Sequence, residues 1–207
     1  MRKALADLIA RMATPEHRCT NSDDSISWKA YREAEMLDDP SLADELAEYL
    51  RHEPNRGLRT HAYFILGKLG QKVRGRDCAS ILLSHLSAES NKYVLSVLLD
   101  ALGGVRKPAD LDLVPVFRLL EDDRWLVRHS AIQALRHTDS PVVEDQLLHL
   151  LEATSDPYDM SNCHATLNEI GSAKAIPLLE KNLKSRKVDV KMSAKFAIEA
   201  IKARSER

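Results

Sequence analysis

The residues best suited to chemistry cluster in "DDRWLVRHSAIQALRH", residues 122–137. Asp122, Asp123, Arg128, His129 and His137 bring together carboxylates, a guanidinium and two imidazoles, the groups of acid–base catalysis and metal ligation. The spacing argues against both. His129 and His137 stand eight residues apart, which on a helix is roughly 12 Å, too far to share one ion. A second candidate, "HRCTNSDD", gathers His17, Cys19, Asp23 and Asp24. One soft thiolate among several hard oxygen donors matches no standard ligand set, so this stretch reads as a polar connector with a free thiol. Cys163 and His164 are neighbours, and adjacent helical side chains diverge by about 100°, which separates a nucleophile from its base. HExxH, EF-hand and CxxC spacings are missing. The chain is therefore expected to hold no catalytic residue, no metal and no cofactor.

The bulk composition points the same way. Thirty Lys and Arg balance 31 Asp and Glu over 207 residues, giving a formal net charge of -1. That leaves no overall electrostatic footprint for nucleic acid. Aromatic residues make up 5% and there are seven glycines, which disfavours an all-β fold and favours helices. Three widely spaced cysteines (Cys19, Cys78 and Cys163) suit a reducing, cytoplasmic setting. "MRKALADLIARMA" carries Asp7 and Arg11 inside its apolar run. Leu5, Leu8, Ile9 and Met12 then form one face of an amphipathic helix, not a signal peptide. No apolar run approaches the roughly 20 residues that cross a bilayer, so no membrane partner is expected.

A repeat organises the rest. Val127, Ala131, Ala134, Leu135 and Thr138 occupy five slots, and the same spacing returns along the chain. "LRTHAYFILGKLG" supplies Leu58, Ala62, Ile65, Leu66 and Leu69; "VLSVLLDALGGV" supplies Val94, Leu98, Ala101, Leu102 and Val105. "VKMSAKFAIEAI" supplies Val190, Ala194, Ala197, Ile198 and Ile201. A weaker copy runs through Asp159, Cys163, Thr166, Leu167 and Ile170, and another starts at Ile26 with Glu33 breaking it. The first slots, 26, 58, 94, 127, 159 and 190, are 32, 36, 33, 32 and 31 residues apart. At about 100° per residue the slots fall within one helical arc, with small residues in the middle where a second helix can approach. Between these copies lie further stripes, such as Leu42, Leu46 and Leu50, or Ile176, Leu179 and Leu183. Asp39-Pro40, Ser140-Pro141 and Asp156-Pro157 read as N-caps before a first-turn proline, with Asn55 and Asp123 as further caps. Gly70 and Gly171 read as helix ends. The unit is a helical hairpin, repeated about six times.

"VRHSAIQAL", "LRTHAYFILGKLG" and "VKMSAKFAI" resemble the HEAT repeat, in particular the short HEAT-like type of the phycobilisome lyases. Pro115 and Pro177 match that family's first-helix proline. Asp122 or Asp123 with Arg128 resembles its turn aspartate and second-helix arginine, which bond between neighbouring repeats. Arg59 and Lys191 take the arginine's place in other copies, while Leu95 and Met160 interrupt the ladder. The resemblance implies an all-α fold, a right-handed α-solenoid of about six HEAT-like hairpins. Residues 1–39 would be a divergent capping hairpin, continuous as a single domain with the array over residues 40–207, and Lys202, Arg204, Glu206 and Arg207 would give that array a polar end. HEAT-like enzymes exist, so a nucleic-acid-binding or modifying enzyme, resembling either the DNA glycosylases or the lyases, is the alternative. The residues speak against it. The sole His-Glu pair of the kind that binds iron in HEAT-like hydroxylases is His52-Glu53, at a helix end. Trp125 with Asp123 and Arg128 lacks the tryptophan cluster of the HEAT-like glycosylases.

In HEAT proteins the second helices line the concave face, and that face usually binds. Positions 2, 5, 6 and 9 after each first slot point away from the core arc. They supply Trp28, Tyr31, Arg32, Tyr63, Phe64, Leu99, Asp100, His129, Ile132, Arg136 and His164 as candidate partner-binding residues. Aromatic and arginine side chains anchor protein interfaces most often. The expectation is a bacterial, cytoplasmic, non-catalytic scaffold or adaptor that docks a protein on this face, with nucleic acid disfavoured. The N-terminal aromatics could equally be core.

Overall fold

The computed structural model describes residues 2–15 and 21–206, so His17 and Cys19 of the candidate loop lie outside the described residues. Twelve α-helices are described and they fall into six consecutive pairs. The chain divides into two compact units, residues 1–105 and 106–207.

Unit 1 holds α1 (Lys3–Met12), α2 (Ile26–Met36), α3 (Leu42–His52), α4 (Arg56–Lys72), α5 (Gly75–His85) and α6 (Lys92–Gly103). The stripe predicted on α1 is its buried face: Leu5, Leu8, Ile9 and Met12. The second helices begin where local chemistry starts them. Ser25 accepts from the Trp28 amide at 2.9 Å, Asn55 from the Gly57 amide at 2.9 Å, and Asn91 from the Tyr93 amide at 3.0 Å. Each satisfies an amide that the first helical turn leaves without a backbone partner. Asp39 does not cap a helix through Pro40. Its carboxylate instead accepts from the Ser41 amide and hydroxyl in the turn before Leu42.

Gly70 is not a helix end, because α4 runs on to Lys72. A Cβ on Gly70 would stand 2.8 Å from Cys78 Cβ and 2.9 Å from a Val105 methyl. The glycine there lets α4 pass close to its neighbours, and that need outweighs its poor helix propensity.

Unit 2 holds α7 (Val114–Phe117), α8 (Trp125–Ala134), α9 (Pro141–Ala153), α10 (Pro157–Ile170), α11 (Ile176–Asn182) and α12 (Val188–Ser205). Pro115 and Pro177 sit in the first turns of α7 and α11, where a missing amide proton costs nothing. Asp156 caps α10 through the Tyr158 amide at 2.8 Å, and Gly171 closes it by donating to the Leu167 carbonyl at 2.8 Å. Asp123 is not the cap of α8; the neighbouring Asp122 accepts from the Arg124 amide at 2.8 Å. Before α9, Ser140 makes no side-chain cap.

In α4, α6, α8, α10 and α12 the first slot is the third residue of the helix, so the repeat register is also a structural register. The slots are the core. Ala62, Ile65, Leu66 and Leu69 are fully buried, as are Val127, Ala131, Ala134 and Leu135. Leu58, Ala101, Thr138 and Ile170, at slot positions near helix ends or crossings, are only half-buried, and Ile26, at the start of the divergent copy, is half exposed.

Candidate interaction surfaces

Two second-helix arginines show what the charged clusters do. Arg59 Nε donates to Glu89 at 2.6 Å, while its Nη1 donates to the carbonyls of Glu53 and Pro54 at 3.0 and 2.9 Å. In the same way Arg128 Nε donates to both Asp159 oxygens at 3.0 and 2.8 Å, and Nη1 donates to the Asp122 carbonyl at 2.9 Å. Each arginine ties its own turn to an acid about thirty residues further on. The turn aspartate therefore acts through its backbone carbonyl, and the Asp122 carboxylate is held by Arg124 at 2.7 Å. Glu89 is buried. Burial raises its pKa, but the Arg59 pair and the Tyr63 hydroxyl outweigh that and leave it below the ordinary carboxylate range.

His129, Asp156 and Asp159 bring three potential ligand atoms within 4.8 Å of one another. No sequence spacing announced this group, since Asp156 and Asp159 belong to the following hairpin. Arg128 already engages both aspartates, so a guanidinium supplies the positive charge a cation would bring. His129 Nε2 lies 2.9 Å from Asp159 Oδ1 in an orientation that makes no hydrogen bond. This is a structural ion-pair cluster joining α8 to α10.

The candidate partner-binding residues separate into two groups. Trp28, Arg32, Asp100 and Arg136 are exposed, and Tyr31, Phe64 and His129 are partly so. The remaining four are corrected: Tyr63, Leu99, Ile132 and His164 are 0% exposed and are not surface anchors. All four stand five residues after a first slot, a position about 120° from the centre of the core arc. That angle is a flank, and in α4, α8 and α10 the flank faces the next hairpin of the same unit. The Tyr63 hydroxyl donates to Glu89 at 2.8 Å. The Ile132 carbonyl accepts from the Thr166 hydroxyl at 3.1 Å. His164 meets Ser193 Oγ through Nδ1 and the Asn182 amide through Nε2, both at 2.9 Å. Tyr31, at the same position in α2, meets His61 Nδ1 at 2.9 Å. In α12 the position is Lys195, which is exposed.

On the outer side of unit 1 a groove of about 310 Å³ runs between α4 and α6, lined by Phe64, Gly67, Lys68, Gln71, Val97, Asp100 and Ala101. Its floor is a close helix crossing, for a Cβ on Gly67 would meet Ala101 Cβ at 2.8 Å. Tyr31 packs edge-on against Phe64 with ring centres 4.9 Å apart, and Arg32 lies 4.5 Å from the Trp28 ring. The cations along these faces are matched to acids: Arg32 and Lys68 to Glu35, and Arg136 to Glu169.

Two other groups are interior. Burial pushes the Cys78 thiol up to about 11, and likewise raises Cys163, so neither is a ready nucleophile. Lys107 is fully buried, and burial lowers its ammonium pKa to about 7, against the pull of Glu169 and with a push from Arg136. Its backbone pairs with His137 and Asp139, the only bridge outside helices among the described residues.

Six helical pairs, five of them sharing one register, define an all-α helical-repeat protein of the α-solenoid class. The family model for HEAT repeats matches residues 79–160 and 114–199, more than half of the chain, and the protein belongs to the HEAT-repeat family. A search of curated proteins gave no match. Among solved structures, a designed armadillo repeat protein is similar at 16% identity, with a TM-score of 0.56, covering 95% of this chain and 99% of that one. Another designed armadillo repeat protein, solved in complex with the peptide (KR)4, gives a TM-score of 0.58 at 16% identity, covering 95% and 99%. AlkD2 from Streptococcus mutans gives a TM-score of 0.43 at 19% identity, covering 94% of this chain and 96% of that one, too low a likeness to carry any argument. No described helix is long and apolar enough to cross a membrane.

Proposed function

We propose that this HEAT-repeat protein is a non-catalytic scaffold or adaptor of the bacterial cytoplasm that docks a protein partner on the outer faces of its second helices. The groove between α4 and α6 carries the reading. It is concave, part apolar, and bordered by Lys68 and Asp100, the mixture that suits a protein side chain better than a reacting substrate. Trp28, Tyr31, Arg32, Phe64 and Asp100 are the anchors in unit 1, and His129 and Arg136 contribute in unit 2. Residues 1–39 would act as the capping hairpin beside them. On α2, α4 and α8 the pairing of Arg32, Lys68 and Arg136 with acids occupies the cations that phosphate binding would use. Peptide docking by a designed armadillo repeat protein of similar fold supports the same class of function.

The test uses the half-exposed Phe64 and the exposed Arg32, not the buried Tyr63. Proteins captured from lysate by the unaltered chain are identified by mass spectrometry, and the leading one is purified and titrated against both proteins. The variant Arg32→Ala/Phe64→Ala is expected to bind at least about tenfold more weakly while melting normally. Equal affinity for both proteins overturns the reading.

A further inference from the structure

The last described helix presents a surface that neither the ion-pair ladder nor the unit 1 groove uses. Val188, Met192 and Phe196 recur at four-residue intervals along α12 and are 72%, 39% and 54% exposed. On a helix that spacing makes one row of roughly 12 Å. The row is bordered by cations. Lys184, Arg186 and Lys187 fill the turn leading into α12, and Lys191 and Lys195 follow along one edge, all exposed. Among the described residues only Lys195 of this set has an ion pair, with Glu199 at 3.7 Å. Several basic side chains elsewhere are tied into the fold, Arg59, Arg128, Arg136 and Lys174 among them. Lys187 provides no side-chain cap, so the first amides of α12 add further positive potential at this end.

We propose that the exposed face of α12, with the turn before it, docks an acidic amphipathic segment of a partner protein. Leucine- or phenylalanine-type side chains would cover Val188, Met192 and Phe196, and carboxylates would meet Lys184, Arg186, Lys187 and Lys191. The charges favour this occupant because the cations lie beside the apolar row rather than in place of it. A nucleic-acid strand would match this face less well, because the row offers one aromatic ring for stacking successive bases. This docking face is separate from the groove between α4 and α6, and it stands or falls independently.

The probe is a fluorescein-labelled helical peptide of Glu, Ala and Leu with leucines at four-residue intervals, titrated by fluorescence anisotropy. Binding is expected, weakening as salt rises. Exchanging the peptide's Glu for Gln should weaken it about tenfold or more, as should K187E/K191E or M192S/F196S in the protein. Circular dichroism checks the fold, and K191Q and M192Q replace any variant that melts early. Phe64→Ala should leave peptide affinity unchanged, which separates this face from the unit 1 groove. Absence of peptide binding overturns the proposal, as does full affinity in M192S/F196S, which would mean charge attraction alone. Tighter binding to oligothymidine or to phosphatidylserine vesicles than to the peptide, competing with it, also overturns it.

Discussion

Arg128 Nε sits 3.0 and 2.8 Å from the two carboxylate oxygens of Asp159, and Asp159 stands in a slot that isoleucine, leucine or valine fills in other copies. The two side chains are 17% and 4% exposed, so neither charge is shared out to solvent. Removing one partner strands the other in the interior. Arg128→Ala should lower the unfolding free energy by about 3 kcal/mol. The double variant Arg128→Met/Asp159→Val should lose much less, because it replaces both charges with apolar volume. Urea unfolding of the four proteins measures the coupling, and purely additive losses would show the pair is not coupled.

Gly67 supports both the helix crossing and the groove above it. A methyl group there would meet Ala101 Cβ at 2.8 Å and Cα at 2.9 Å, and a backbone atom cannot swing aside as a flexible side chain can. Gly67→Ala gains up to about 1 kcal/mol in helix propensity but forces α4 away from α6, at a cost of about 1–3 kcal/mol. A net fall in melting temperature is expected, with partial recovery in Gly67→Ala/Ala101→Gly. A rise in melting temperature for the single variant would contradict the close crossing.

His164 gives acid sensitivity a definite direction. Burial lowers its pKa to about 4, despite a hydrogen bond at Val190 that raises it. The unfolded chain, near 6.5, takes up a proton first, so the stability from neutral His164 is complete above that value. It falls progressively as pH drops towards 4, by up to about 3 kcal/mol. His61 and His85 are shifted down by burial too and add to the same trend. Lys107 acts in a different window, between about 7 and its ordinary value near 10.5, where stability rises with pH. Urea midpoints from pH 7 down to pH 4 should fall more shallowly in His164→Gln than in the unaltered chain. Parallel slopes would assign the acid sensitivity elsewhere.

The hairpin repeat and its register were legible in the amino-acid order, because small and branched apolar residues recur at fixed offsets in several copies. Ala62, Ala131 and Ala194 could be placed in the interior from spacing alone, and all are fully buried. The ion-pair ladder was half legible. Arg59 and Arg128 announced themselves, but their acids, Glu89 and Asp159, lie about thirty residues away, where only stacked hairpins make them neighbours.

The tertiary structure alone decided which outward-pointing residues stay outward. A single helix divides its residues into a buried arc and an open arc, and on that basis Tyr63, Leu99, Ile132 and His164 all pointed outward. A helix in a stacked array has neighbours on its flanks as well as beneath it, so the open arc narrows and the fifth position goes inside. The recurrence of large side chains there, and of Lys195 in the last copy, was the available signal. It could be read only once the flank was known to be covered.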